Sequence, residues 1–523
     1  MDTATRIADD RFIKTSRACC IVVEQTTSSS EKQDKKNASK PEKVPLAGIT
    51  VKKADNISEW YTQVLQKAEL IDYSLVSGCY VLRPRLYAMW EKVQQLFDVE
   101  IKRKGVQNAY FPMLIPESLL NKEAHHVNGF SPEVAWVTQG GNSPLPERLA
   151  IRPTSETIMY ESFAKWIRSY RDLPLKLNQW CNVVRWEFKH PTPLLRSREF
   201  LWQEGHTAHA THEEAAQMAL DMLNVYAQLL EDVYALPILR GKKSQGETFA
   251  GAIYSLSCET FFPSGKGIQI CTSHHLGTNF SKAFDIGYLN DKGNHMPVHQ
   301  TSWGISTRSL GILVLFHGDD KGLVLPPKIA PTQIVIVPIY FAEVDKKRVM
   351  SAAVKIRKSL ETDFSVILDD REEYTPGWKY NDWEMKGACM RIEIGPKDIA
   401  NEQVMICRRD VGKKEAVPIA KVKEHVGSQL RQMQKDMLTH ATERLVAATV
   451  EVTTNEELLK ALAEKKLIKT AWCALPECEA ALKEKTDGAK SMNIPFEQPE
   501  KLLSSCTLCG KTATVVAYVA KAY

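Results

Sequence analysis

The chain has 523 residues, 44% hydrophobic and 25% charged, with a formal net charge of +5. That is an ordinary globular composition, long enough for roughly two to four domains, and its small positive charge allows a nucleic-acid partner without demanding one. No apolar run is long enough to span a bilayer, Gly311–Phe316 being only strand-sized, and twelve cysteines are too few for a disulfide scaffold; a membrane protein and a small secreted one are both excluded.

Residues 1–46 are polar and lysine-rich after residue 25. They cannot bury enough apolar surface to offset ordering entropy, so a disordered tail is expected, or a weak electrostatic tether for RNA. There is no apolar signal segment, and Asp2, Asp9, Asp10 and Glu24 are out of place in a mitochondrial leader, so a cytoplasmic location is expected. Ser58–Leu70 has helical apolar spacing with a serine cap at its start. Arg83-Pro84 precedes a second helix at Leu86–Phe97, and Asn108–Pro112 is a short strand. Leu149–Thr157 (LAIRPTSET) leads into a helix from about Glu156 to Ile167. Thr154 or Ser155 can cap it, but Thr157 stands where a capping box needs Glu or Gln.

Val184–Phe188 (VRWEF) and Arg196–His206 (RSREFLWQEGH) flank a Pro-rich loop, like a strand hairpin with arginines eleven residues apart. Arginine takes phosphate or carboxylate oxygens two at a time, and the alternation of Phe200 and Trp202 leaves an aromatic face for a nucleobase. A surface hairpin with ordinary ion pairs fits the same residues. Residues 212–238 form a helix whose Met and Leu stripe suits a core, and 250–316 alternate strand-like runs with glycines. Together they indicate an antiparallel sheet flanked by helices. Pro326-Pro327 and Pro331 mark a boundary. Beyond it Gln333–Tyr340, a helix at about 345–361 and Ser365–Leu368 indicate a small α/β domain with a mainly parallel sheet, placed at 331–440. In 441–523, Cys473, Cys478, Cys506 and Cys509 have the spacing C-x4-C, 27 residues, C-x2-C. Four thiolates suit a closed tetrahedral structural Zn2+, the alternative being four unpaired cysteines.

These segments resemble the class II aminoacyl-tRNA synthetases, in the form of the prolyl-tRNA synthetases. The hairpin is similar to motif 2. Leu149–Thr157, Thr272–Phe280 (TSHHLGTNF) and Ser302–Arg308 (SWGISTR) followed by Gly322–Pro327 (GLVLPP) match further stretches in the family's order, and Tyr523 resembles its C-terminal tyrosine. The resemblance implies an α+β catalytic domain over 47–330, an α/β anticodon-binding domain over 331–440 and a small α+β zinc-binding domain over 441–523. It implies that L-proline is activated with ATP and Mg2+ to prolyl-adenylate. The prolyl group then passes to the terminal adenosine of tRNA(Pro). A homodimer is implied, joined through Leu86–Phe97 and Asn108–Pro112. About 100 residues separate Glu204 from Arg308, too few for the editing insertion of the bacterial type; the C-terminal extension resembles the archaeal and eukaryotic type.

The resemblance also implies roles. Thr154 and Glu156 take the two N–H donors of the proline ammonium, which one hydroxyl and one carboxylate can satisfy. Arg185 bridges the proline carboxylate and the α-phosphate, and is catalytic together with Arg308. Glu187 faces adenine, Phe200 stacks on it, and Arg196 and Arg308 hold the far phosphates. Phe130, Trp202, His206 and Phe249 wall the proline pocket. Gln269 and Thr272 lie near the ribose, and His274 near the tRNA 3′ end. Glu384, Lys386, Arg391 and Lys397, with Gly377–Tyr380, face the anticodon, whose unstacked bases suit aromatic neighbours. Ile270-Cys271 replaces the family's usual small pair, so local backbone and pocket size are expected to differ there. A synthetase for threonine and a catalytically silent RNA-binding paralogue compete with this reading. Thr154–Thr157 and the cysteines argue against the first, and the two motif arginines against the second.

Overall fold

A computed structural model of the chain describes residues 48–126, 133–501 and 504–523. The expected N-terminal tail and Phe130 lie outside these residues. The helix Ile57–Lys67 takes its cap from Asn56, whose Oδ1 accepts from the Glu59 N–H at 3.1 Å. The serine cap expected at Ser58 is therefore corrected: the asparagine two residues earlier already satisfies that orphan donor. The helix Pro84–Arg103, started by proline at its first turn, buries Leu86, Met89, Trp90, Val93, Phe97 and Ile101 at helical spacing. Phe97 stacks on Tyr226 at 5.0 Å.

The strands Tyr254–Phe261, Lys266–Gly277, His299–Ser306, Glu199–His209 and Leu175–Val184 lie side by side and antiparallel. The helix His212–Asp232, capped by Thr211, lays Met222, Leu223, Tyr226 and Leu230 into the core that covers this sheet. At the centre Gly205 opposes Trp303, and a Cβ at Gly205 would come within 2.1 Å of the indole. Glycine is required there for the strands to keep this register. Gly311–Phe316, strand-sized in the sequence, is helical within Arg308–His317. The helix is buried on every side, which makes it apolar throughout and erases the period that would separate it from a strand.

The second sheet runs Val366–Leu368, Ile334–Pro338, Met390–Ile394, Gln403–Arg408, Lys414–Pro418. Its first two pairings are parallel and its last two antiparallel, so the mainly parallel expectation holds for three strands only. The link 395–402 is too short for a parallel crossover, which forces Gln403–Arg408 to return antiparallel. The helix Val422–Ala448 runs unbroken through residue 440, because neither glycine nor proline interrupts 428–448. The C-terminal strands do not form a separate sheet. Val515–Ala522 extends the catalytic sheet, Lys521 and Ala522 pairing parallel with Lys266 and Gly267, and Ile494-Pro495 pairs with Gly241 and Lys242.

Candidate active site

One cavity of about 330 Å³ opens on the central sheet, lined by Thr154, Glu156, Arg185, Phe200, Trp202, His206, Phe249, Gln269, Thr272, His274 and Arg308. Its floor is a buried polar network at the start of the helix Glu156–Trp166. Ser155 occupies the N-cap position, yet no hydroxyl caps the helix: Thr154 Oγ1 donates to Glu156 Oε2 and Ser155 Oγ donates to Glu204 Oε1. Two buried carboxylates need donors there, and the hydroxyls serve them instead of the cap expected from the sequence.

Glu204 escaped the residue-by-residue reading, although its place two residues before His206 on the hairpin strand was the available signal. Its Oε2 meets His206 Nε2 at 3.0 Å, and its Oε1 also accepts from Gln179 Nε2 at 3.0 Å and Cys181 Sγ at 3.4 Å. Burial alone would raise the Glu204 carboxyl, but the bond and charge of His206, together with the hydrogen bonds from Ser155 and Gln179, outweigh burial and hold it below the ordinary range. Burial would lower His206, but the Glu204 bond and the charges of Glu156 and Glu204 raise it. Each of the two buried groups thus favours the charged form of the other. The second imidazole nitrogen, Nδ1, lies 3.2 Å from the Tyr160 hydroxyl.

The opposite wall depends on a bulge. Cys258 opposes Cys271 while Glu259 opposes Gln269, leaving Ile270 as the extra residue. In a regular strand Gln269 and Thr272 would face opposite sides; the bulge brings both to the cavity. Ile270 and Cys271 are buried in the hydrophobic core, so the unusual pair noted in the sequence sits at this bulge. Ser255 Oγ lies 2.7 Å from His274 Nδ1, and the Phe249 ring is 4.8 Å from the His274 ring. Burial, then the charge of His206, pulls His274 down to about 3, so it is neutral near pH 7.

Arg185 Nε donates to the Pro153 carbonyl at 2.9 Å, and its guanidinium carbon is 5.6 Å from the Phe200 ring and 5.4 Å from the Trp202 ring. Two aromatic faces and a carbonyl thus fix its position. Arg308 begins its helix with Nε buried and unpartnered among the described residues. Burial, then the charge of Arg196, lowers its pKa. A cationic fork with an open donor at the cavity wall fits a phosphate. Glu187 and Arg196 stand outside this lining. Glu187 is exposed in the turn after Leu175–Val184, and Arg196 Nη2 donates to the Tyr523 oxygen at 2.6 Å in a neighbouring cavity.

Comparison with known proteins adds three matches in chain order. The class II tRNA synthetase core domain (G, H, P, S and T) matches 137–316, the anticodon binding domain 333–429, and the prolyl-tRNA synthetase C-terminal domain 455–523. The cytoplasmic proline–tRNA ligase of Arabidopsis thaliana is 48% identical over 485 residues, 91% of this chain and 91% of its own. The proline–tRNA ligase of Alkaliphilus oremlandii is 48% identical over 486 residues, 93% of this chain and 100% of its own. The chain belongs to the prolyl-tRNA synthetase family. It is a class II aminoacyl-tRNA ligase. The solved prolyl-tRNA synthetase of Cryptosporidium parvum, complexed with halofuginone and AMPPNP, matches with a TM-score of 0.88 and 46% identity over 91% of this chain and 100% of that one.

In the C-terminal part of the synthetase, the sulfurs of Cys473, Cys478, Cys506 and Cys509 lie within 4.8 Å of one another, Cys473 to Cys509 at 3.6 Å and Cys478 to Cys506 at 3.8 Å. Four thiolates about 2.3 Å from a tetrahedral zinc stand roughly 3.8 Å apart, so the four residues fit that ion. Gly510, at φ +73, donates its N–H to the Cys506 carbonyl at 2.9 Å and closes the second knuckle.

In the second module, Arg391 is buried and donates to Glu384 at 3.0 Å and to Glu393 at 2.9 Å. Lys386 pairs with Asp382 at 3.0 Å and Glu69 at 3.3 Å. Of the four residues expected to face an anticodon, Lys397 alone is exposed. The reading by residue type missed Tyr374, which stacks on Trp378 at 3.8 Å, with the Arg371 guanidinium 5.1 and 5.3 Å from the two rings. Their i, i+4 spacing at a helix start was the signal.

Proposed function

We propose that this cavity makes prolyl-adenylate and passes the prolyl group to tRNA(Pro). One observation carries the reading: a buried acidic and hydroxyl pair, Thr154 and Glu156, shares a single cavity with Arg185 and Arg308. Glu156 accepts one N–H of the proline ammonium. Thr154 Oγ1 donates to Glu156, which leaves its lone pairs to accept the other. Glu204 is engaged by His206 at 3.0 Å, so Glu156 is the carboxylate that carries the attraction for the ammonium. Trp202 and Phe249 wall the apolar ring. Arg185 reaches the proline carboxylate and the α-phosphate together, with Phe200 and Glu187 on adenine, Gln269 and Thr272 on the ribose, and Arg308 and Arg196 on the outer phosphates. For Arg196 this requires leaving the Tyr523 oxygen.

A carboxylate oxygen of proline bonds to the α-phosphorus and diphosphate leaves. Negative charge builds on the α-phosphoryl oxygens, where a guanidinium already in place stabilises it. ATP enters with Mg2+, which supplies further charge neutralisation. The terminal ribose hydroxyl of tRNA(Pro) then attacks the prolyl carbonyl and AMP leaves, beside a neutral His274. Cys473, Cys478, Cys506 and Cys509 would hold a structural Zn2+ that supplies folding energy. The anticodon-binding module reads tRNA(Pro), Lys397 being its accessible candidate. A homodimer is supported by the apolar groups Leu96 and Val99, 38% and 49% exposed on the helix Pro84–Arg103, and by Tyr110 at 70%; a cytoplasmic location is supported by the Arabidopsis thaliana relative named as cytoplasmic. Diphosphate exchange tests the reading: exchange with proline should exceed that with threonine, serine, glycine or histidine by orders of magnitude, and robust exchange with threonine but none with proline would end it.

A further inference from the structure

The segment 243–249 has two faces. Lys243, Glu247 and Phe249 line the active-site cavity. The same segment is gripped from behind by the C-terminal module. Lys243 Nζ donates to the Met492 carbonyl at 2.7 Å, Ser244 Oγ donates to Glu479 Oε2 at 2.7 Å, and Lys490 pairs with Glu247. A Cβ on Gly246 would come within 3.0 Å of Glu479 Oε2, so the segment lies directly on this carboxylate. Ser244 also caps the short turn Gln245–Glu247, and its carbonyl accepts from Thr248 Oγ1 at 2.9 Å. Phe249 follows at once, its N–H held by Ser255 Oγ at 2.9 Å.

Glu479 is 8% exposed and stands beside Cys478 on the helix Pro476–Lys485. Its other oxygen accepts from Ser491 Oγ, so both carboxylate oxygens are used to clamp one segment to another. A buried carboxylate is costly unless its oxygens are satisfied, which makes the two hydroxyl contacts mutually dependent.

We propose that Glu479 is a positioning residue for the proline pocket, carrying the order of the four-cysteine cluster through Cys478 and Ser244 to Phe249. The proposal rests on the reading that Phe249 walls that pocket. Without the Glu479 contact, 243–249 samples arrangements in which Phe249 is withdrawn, and proline binds only the fraction that is closed. Affinity for proline falls, while the Arg185 and Arg308 side, and with it affinity for ATP, stays as it was.

The test uses the full chain. In diphosphate exchange, Glu479→Ala should raise the KM for proline roughly 10- to 100-fold, the range of a lost hydrogen bond to a charged group, with the KM for ATP within about threefold. Amide hydrogen exchange should accelerate at 244–249. Glu479→Gln, whose amide can accept from one serine and donate to the other, should restore most of the proline KM. Should Glu479→Ala fail to fold, Ser244→Ala removes the same contact from the catalytic side and should reproduce the shift. Phe249→Ala should raise the proline KM by itself, and the double variant Phe249→Ala/Glu479→Ala should be no worse than Phe249→Ala, since the two act through one route. A rise after Phe249→Ala but none after Glu479→Ala or Ser244→Ala overturns the coupling. No change after Phe249→Ala overturns the pocket reading beneath it. Equal changes in the KM for proline and ATP would mark Glu479 as a general structural residue and also overturn the proposal.

Discussion

Arg185→Ala should separate catalysis from folding. Among the described residues this side chain makes one hydrogen bond, to the Pro153 carbonyl, and its guanidinium lies 5.6 and 5.4 Å from the Phe200 and Trp202 rings. A neutral-acceptor bond contributes about 1 kcal/mol and each partly exposed cation–π contact about 0.5–1 kcal/mol, so its loss should cost roughly 2–3 kcal/mol of stability. In the proposed transition state the same fork meets charge growing on the α-phosphoryl oxygens, and losing one preorganised donor there typically costs about 100- to 1000-fold in rate. The larger effect therefore falls on the chemical step: kcat should drop while the protein stays folded and the KM for ATP changes little. Arg185→Lys should fail as well, because an ammonium cannot bond carboxylate and phosphate with one planar fork. Single-turnover formation of prolyl-adenylate, read beside a thermal melt, measures both quantities. If Arg185→Ala forms the adenylate within about threefold of the parent rate, far short of the loss for such a donor, the assignment of this residue is wrong.

The purified synthetase should carry one zinc per protomer, and Cys473→Ser or Cys506→Ser should lower that content and loosen the C-terminal module; elemental analysis of protein prepared without chelator, finding no metal, would contradict this. Acid should also destabilise the fold through its buried imidazoles. His209 is held down to about 4 by burial and then by Lys176, His275 and His299, and His275 to about 4 by burial and then by His212. Between about pH 6.5 and 4 the unfolded chain binds protons that these groups refuse, so stability should fall with pH in that window by up to about 1.4 kcal/mol per unit for each; His206, raised in the fold, works in the opposite sense. His209→Gln should reduce the slope of unfolding free energy against pH over that range, and an unchanged slope in denaturant titrations would count against the assignment.

What could be read without coordinates was local chemistry. The arginines, the alternating aromatics Phe200 and Trp202 and the Thr154–Glu156 pair lie within short segments of distinctive composition. The C-x4-C and C-x2-C spacings are likewise local, although the closest sulfur contacts, Cys473 to Cys509 and Cys478 to Cys506, run between the two motifs. Strand and helix positions in 333–368 were legible for the same reason, since period and turn residues are properties of neighbours. The rest required the folded chain, because burial and long-range partners decide it. Gly311–Phe316 is helical, and burial along its length removes the apolar period that would have shown it. Gln269 and Thr272 reach one cavity because a bulge opposite Cys258 and Glu259 breaks the alternation. Ser155 serves Glu204 rather than its own helix end, and His206, 3.0 Å away, helps to hold the Glu204 carboxyl below its ordinary range. Glu479, 235 residues from Ser244, carries no local mark of the contact it makes. A carboxylate's partner, and therefore its charge and its role, is set by which strands and helices meet, and only tertiary packing brings those surfaces together.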